Sequence, residues 1–346
     1  VVREVQRAAV RSSERAGVPL LALRERDAPE LVRLLGRIEE PRTFALVADR
    51  LVDLGAVSSI PALLRSRARE FRPSTSVEGH PADAALARWG FRAVGPALRG
   101  LDSADREVRL ASAGVLAARA PYRPQDRRLL PAYLRLARSA DREIRAVGTH
   151  AIGSHAVRPR VDRMGDGYLP FEVTNPVALA ELAVSALDPD PSIASDAARW
   201  LHSVLWSRGL AHVAPGGRLD PAGASQRAGE YSASLASADG GVRTSALGLL
   251  AYGSGSARAP HYEALADPRP EIRSAMERLV ARGGVSVSLL SPLARHREPS
   301  VRAATARLLG RSFSPEALPL LRHLGGDADE RVRRTALAAA RRIQGP

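Results

Sequence analysis

The stretch DREVRLASAG, Asp105–Gly114, returns 36 residues later as DREIRAVGTH, Asp141–His150. The same grammar recurs in SADGGVRTSALGLLAYG, ADPRPEIRSAMERLVARG, HREPSVRAATARLLGR and GDADERVRRTALAAARRI. Each copy has a turn bearing Asp, Pro or Gly, then Val or Ile followed by Arg, then small residues, then Leu or another apolar residue. The recurring arginines are Arg109, Arg145, Arg243, Arg273, Arg302 and Arg333, and the last four lie 30, 29 and 31 residues apart. A near-constant period of this length marks a short structural unit that buries its apolar face only by stacking on its neighbours.

The unit reads as helix, turn, helix. In VRAATARLLG, Val301, Ala304 and Leu308 are three and four residues apart and share one helical face, while Arg302 and Arg307 project elsewhere. Proline in DPRPEIR and REPSVR suits a first helical turn, where no intrahelical amide bond is lost, and acidic residues there suit the positive helix end. The partner helix is visible in LVDLGAVSSIPALLRSRAR, Leu51–Arg69, where Gly55 reads as a stop and a second helix follows over Ile60–Arg67. Gly310 and the following RSFSPEALPLLRHLGG repeat that arrangement, with Gly310 again expected as the stop. Aromatic residues make up only 4% of the chain against 45% apolar, so the interior is built from Ala, Leu and Val. This favours closely packed helices over sheets and predicts an all-α fold.

The segments resemble HEAT repeats of the short bacterial form, D-x-x-V-R-x-x-A-x-x-x-L with an A-(V/I/L)-P-x-L second helix. The match is clear in DADERVRRTAL with ALPLL before it, and in DREVRLASAGVL, where Ser112 stands in the usual Ala place. It covers most of residues 95–346 and runs more loosely through 1–70, where Gln6 replaces the Arg; DPDPSIASDAARWL likewise has Ala194. The resemblance implies a right-handed α-solenoid of stacked two-helix repeats used as a scaffold or binding surface. Some related arrays serve as DNA repair glycosylases or lyase subunits. The expected organisation is divergent HEAT-like helices over 1–70, an irregular loop or linker over 71–83, and one array over 84–346. Because a catalytic site needs one special constellation and not the same residue in every unit, the recurrent arginines are assigned to stacking. They are expected to bridge to acids of the adjacent turns, Asp105, Asp141, Asp267 and Asp327.

The rhythm breaks twice. Arg145 to Ala194 and Ala194 to Arg243 are each 49 residues, so each interval carries an insertion, placed at about 155–176 and 209–229. Insertions in repeat proteins map to loops on one face, often the binding face. Between them lies SDAARWLHSVLWSRG with Trp200 and Trp206, two of only three tryptophans. With Tyr168, Phe171, Arg199 and His202 they form the candidate partner-binding patch, able to anchor a protein or stack a base. The plainer alternative is that these large side chains fill gaps between enlarged repeats.

Chemical motifs are missing from the sequence. It contains no H-E-x-x-H, G-x-G-x-x-G, Walker loop or G-x-S-x-G, no cysteine, and eight scattered histidines. No catalytic residue, metal site or cofactor is assigned. The nearest approach to one is Asp196 a helical turn from Trp200, a faint likeness to glycosylase centres. The net charge is +14 and all 51 basic residues are arginine. Residues 1–150 carry 27 Arg against 18 acids, residues 151–250 carry 8 against 10, and residues 251–346 carry 16 against 9. Nucleic acid is thus a second candidate partner, through the Arg-rich terminal regions. The leading reading is a noncatalytic scaffold or protein-binding solenoid. The chain opens VVREVQRAAV without an initiator Met, as a processed product would, so a targeting segment could have been removed; the cytoplasm is the favoured compartment.

Overall fold

The computed structural model describes residues 25–38, 41–66, 81–117, 128–158, 172–173, 175–208, 210–211 and 219–345. The chain divides into two compact units, Val1–Ala151 and Ile152–Pro346. The expected loop at 71–83 and the centre of the first insertion lie largely outside the described residues.

The first unit contains α1 (Ala28–Leu35), α2 (Pro41–Asp53), α3 (Ile60–Ser66), α4 (Pro81–Trp89), α5 (Val94–Gly100), α6 (Arg106–Ala117), α7 (Leu129–Ala137) and most of α8 (Arg142–Ala156). Its core is mainly aliphatic, with Leu31, Leu35, Leu51, Ile60, Leu63 and Leu64 essentially fully buried, as is Phe44. After α2, Gly55 takes a left-handed φ of 66°, the conformation that a glycine stop supplies without a Cβ penalty. Tyr133 of α7 is wholly buried and donates its hydroxyl to Leu116 O of α6 at 2.8 Å, so its one polar atom is satisfied inside the core.

The second unit begins with a two-residue antiparallel pair, β1 (Val157–Arg158) with β2 (Glu172–Val173), which is the only β pairing among the described residues. Helices follow: α9 (Pro176–Ser185), α10 (Pro191–Ser207), α11 (Pro221–Gln226), α12 (Ala228–Ser234), α13 (Gly240–Ser254), α14 (Ala259–Glu263), α15 (Pro270–Gly283), α16 (Val287–Leu290), α17 (Pro299–Ser312), α18 (Leu318–Gly325) and α19 (Glu330–Gln344). The fold is thus an all-α stack of repeated helical units. Residues 221–229, assigned from sequence to the second insertion, are helical in large part. The reason is local: the Asp220 carboxylate accepts the Gly223 N–H at 2.7 Å and Pro221 occupies the first turn.

The recurring arginines act mainly on their own turns. Arg109 donates from one guanidinium nitrogen to Ser103 O and Ala104 O, and Arg145 does the same to Ser139 O and Ala140 O. Arg273 reaches Asp267 O and Pro268 O, Arg302 reaches His296 O and Arg297 O, and Arg333 reaches Asp327 O and Ala328 O, all at 2.7–3.0 Å. One cation therefore satisfies two turn carbonyls that the following helix cannot reach.

The acids separate into two kinds. Asp267 and Asp327 stand five residues before the recurring Ile272 or Val332 and meet the arginine of the preceding unit. Arg243 lies 2.9 Å from Asp267, and Arg302 grips Asp327 with two nitrogens at 2.6 and 2.7 Å. Asp105 and Asp141 stand only three residues before theirs and cap their own helices instead, accepting from the amides of Glu107, and of Glu143 and Ile144. This corrects the expectation that all four acids bridge to recurring arginines. The partner of Asp141 is Arg106, not Arg109. At the five-before position the first unit carries Ser103 and Ser139, whose hydroxyls satisfy the turn amide at 3.2 Å but offer no charge to a guanidinium.

Arg302 also holds the Asp327 carboxyl below its ordinary pKa of 3.8. A depressed carboxylate pKa adds stability that is complete above the unfolded value and is lost as pH falls through the folded one. Asp327→Asn is therefore expected to melt below the parent at pH 7, and the two melting temperatures to converge as the pH drops beneath 3.8; a constant gap across that range would contradict the pairing.

Gly310 is not the expected stop, since α17 continues to Ser312 and ends at Phe313 with a left-handed φ of 49°. Its role is spatial. A Cβ there would lie 2.6 Å from Ala339 Cβ and 3.0 Å from Ala339 Cα on α19, so the missing side chain sets the spacing of the last two repeats. Gly310→Ala should cost about 1–3 kcal/mol by overpacking, read from denaturant midpoints, and Ala339→Gly in the same chain should recover part of it.

Candidate functional site

The central candidate residues sit on α10, whose start is set by Asp190 accepting from the amides of Ser192 and Ile193, with Pro191 in the first turn. Ile193, Ala197, Leu201 and Leu205 are buried, and Arg199 lies on the opposite, exposed side. The structure does not present these residues as one surface. Arg199 pairs with Asp196 one turn earlier, leaving its side chain half exposed. Trp200 lies against Gly153 of α8, where a Cβ would approach within 2.2 Å of the indole. It therefore occupies space left by a missing side chain while staying partly exposed. Trp206 is half-buried near the end of α10.

His202 is the clear departure, being only 3% exposed and so unable to meet a partner at the surface. Its ring meets Tyr231 of α12 edge to face, with centroids 6.4 Å apart at 78°, and the Tyr231 hydroxyl lies 3.4 Å from Nδ1. Burial raises the Tyr231 pKa, keeping the phenol neutral. The sequence spacing could not reveal this, because the Tyr231 ring comes from the next unit. Tyr168 and Phe171 lie outside the described residues.

Sequence reasoning passed over another feature. Counting from the recurring Ile272, Val301 and Val332, the sixth and tenth following residues are Arg278 and Arg282 on α15, Arg307 and Arg311 on α17, and Ala338 and Arg342 on α19. Four residues apart, each pair shares one helical face. On α17 and α19 this face borders a furrow of about 530 Å³ with Ala338 and Ala339 among its lining. Arg307, Arg311, Arg331, Arg334 and Arg342 line it together with Thr335. Arg307 is engaged by Glu277 through two nitrogens at 2.6 and 2.7 Å, and Arg334 lies 3.5 Å from Glu330. Arg311, Arg331 and Arg342 have no acidic partner among the described residues. The signal was present in sequence as a second arginine register, hidden behind the stronger Val/Ile-Arg repeat.

No group of three or more His, Cys, Asp or Glu side chains suited to a metal gathers among the described residues, and no helix there is long and apolar enough to cross a membrane. Trp200→Ala is expected to lower stability by about 2–4 kcal/mol, measured by chemical denaturation. A loss under about 0.5 kcal/mol would mean the indole is not packed.

The family profile for HEAT repeats matches residues 286–346. No curated protein matches the sequence. Among solved structures, the fold is similar to a designed armadillo repeat protein in complex with peptide (KR)4, at 14% identity and TM-score 0.30, covering 92% of this chain and 99% of that one. It is similar to human deoxyhypusine hydroxylase in complex with glycerol, at 16% identity and TM-score 0.31, covering 85% and 99%. A structure of microtubule polymerases with TOG domain arrays has 14% identity and TM-score 0.35, covering 98% and 93%. With HEAT repeats matched at its end and repeated helical units stacked before them, the chain is a HEAT-like all-α repeat protein.

Proposed function

We propose that the chain is a noncatalytic helical-repeat scaffold that binds a protein partner. The observation that carries this reading is how the polar groups are used. The recurring arginines are spent on turn carbonyls and on the acids of following turns, and the central His202 is spent on packing. What is left exposed is helix surface repeated along the stack, a broad area suited to another macromolecule and not a pocket shaped for a small substrate. Arg199, Trp200 and Trp206 are the members of the central patch with exposed or partly exposed side chains, and they stay candidates for contact.

The furrow arginines make nucleic acid the competing partner. Binding of purified partner protein and of a mixed-sequence oligonucleotide should be measured by calorimetry across a salt series, the protein partner being one isolated from native lysate and mapped to this chain by cross-linking. The expected result is a protein complex that survives physiological salt. Oligonucleotide binding that falls steeply with salt, with no protein complex, would establish the competitor.

A further inference from the structure

The second arginine register is already occupied in one part of the molecule, and the occupant is a segment of this chain. On α15, Arg278 donates to the Glu181 carboxylate of α9, and Arg282 donates to Val184 O near the end of that helix at 3.0 Å. Arg282 also lies 3.9 Å from the Asp188 carboxylate, just beyond it. On α13 the sixth position is Gly248, where a Cβ would come within 2.9 Å of Ala183 Cα, so α9 rests directly on that backbone. α9 thus lies against this face of two successive repeats. It is buried on every side from Ala178 to Ser185, which explains why it is apolar all round except for Glu181 and the terminal Ser185. The Glu181 and Asp188 side chains are only 3% and 2% exposed; Arg278 donates to the first, and the second accepts the Asp190 amide at 2.9 Å with the Arg282 guanidinium beside it.

The corresponding face of α17 and α19 has the same register, and no helix among the described residues lies upon it as α9 does on α13 and α15. Arg311 and Arg342 hold the tenth positions that Arg282 holds on α15, Ala338 supplies a small residue at the sixth position as Gly248 does on α13, and Arg331 adds a third cation with no acidic partner among the described residues. We propose that this furrow receives an acidic helical segment of a partner protein, in the manner in which α9 occupies α13 and α15. The partner's carboxylates meet Arg311, Arg331 and Arg342. Planar guanidinium groups bind carboxylates through paired hydrogen bonds, and alanines beneath them let a helix backbone approach. Phosphate chains fit less well. None of the lining residues is aromatic, so the furrow has no platform for stacked bases.

The inference rests on the protein-binding reading and is separable from it. The probe is a fluorescent alanine-based helical peptide with Glu and Asp seven residues apart, the spacing of Glu181 and Asp188. Its Gln and Asn counterpart and an 18-nucleotide single strand of about equal length serve as comparisons, all at roughly 50 mM salt, where surface charge is weakly screened. The acidic peptide should bind, with the amide peptide at least about tenfold weaker. Arg311→Glu with Arg342→Glu should weaken binding by a similar factor, as should Arg311→Gln with Arg342→Gln, which keeps the test valid if charge reversal disturbs folding. Equal binding of the two peptides, unchanged binding by the Gln variant, or no peptide binding would each overturn the proposal. So would a nucleotide strand held more tightly through the same arginines. A native protein partner that binds the Gln variant as well as the parent would remove this site while leaving the scaffold function intact, whereas the absence of any protein partner would remove that function.

Discussion

The interaction on which the rest depends is a guanidinium turned back onto its own turn. In five of the six copies, the arginine after the recurring Val or Ile donates to carbonyls six and five residues earlier. Those carbonyls belong to the link between helices, where backbone acceptors have no partner in either helix. Satisfying two of them with one cation holds the link in a single shape, and a fixed link gives each helix a fixed direction into the next unit. The neighbouring Asp267 shows how strongly this is worked in the second unit. Burial pushes its pKa upward, yet Arg269 and Arg243 override that and keep the carboxyl below its usual range.

Stacking then needs close approach, which the chain obtains with small residues. Gly310 faces Ala339, Gly153 faces the Trp200 ring, and Gly248 faces the backbone of α9. In each case a side chain is omitted so that something larger can come near. This accounts for a chain with 45% apolar residues and so few aromatics: helices at short spacing leave little room for rings. Around the enlarged repeats Tyr231 and Tyr252 are buried and Trp200 packs over Gly153. Tyr252 donates its hydroxyl to Leu219 O at 2.9 Å, fastening the segment before α11 to α13.

Much of this was legible because the repeat encodes it locally. Val301, Ala304 and Leu308 are buried as their spacing implied, and Gly55 ends its turn with the positive φ a stop requires. The candidate site was much less legible. Trp200, His202 and Trp206 share a helix, but which of them meets solvent depends on Gly153 and Tyr231, which lie far away in sequence. Reading Asp105 and Asp141 as ladder acids failed for a similar reason. A displacement of two residues within a turn moves a carboxylate from the neighbouring unit to its own helix amides.

The amino-acid sequence by itself determined the helical units, their period and the positions of their arginines, because helix periodicity and turn chemistry act over a few residues. Only the tertiary structure decided which arginines are consumed. Arg278 and Arg282 are indistinguishable in register from Arg307 and Arg311, yet the first pair is met by the helix that carries Glu181 and ends before Asp188, while Arg307 is met by Glu277 of α15 and Arg311 borders an open furrow. The difference arises from a contact between residues nearly a hundred positions apart, where carboxylates taken out of water are stable only against a guanidinium placed there by the fold.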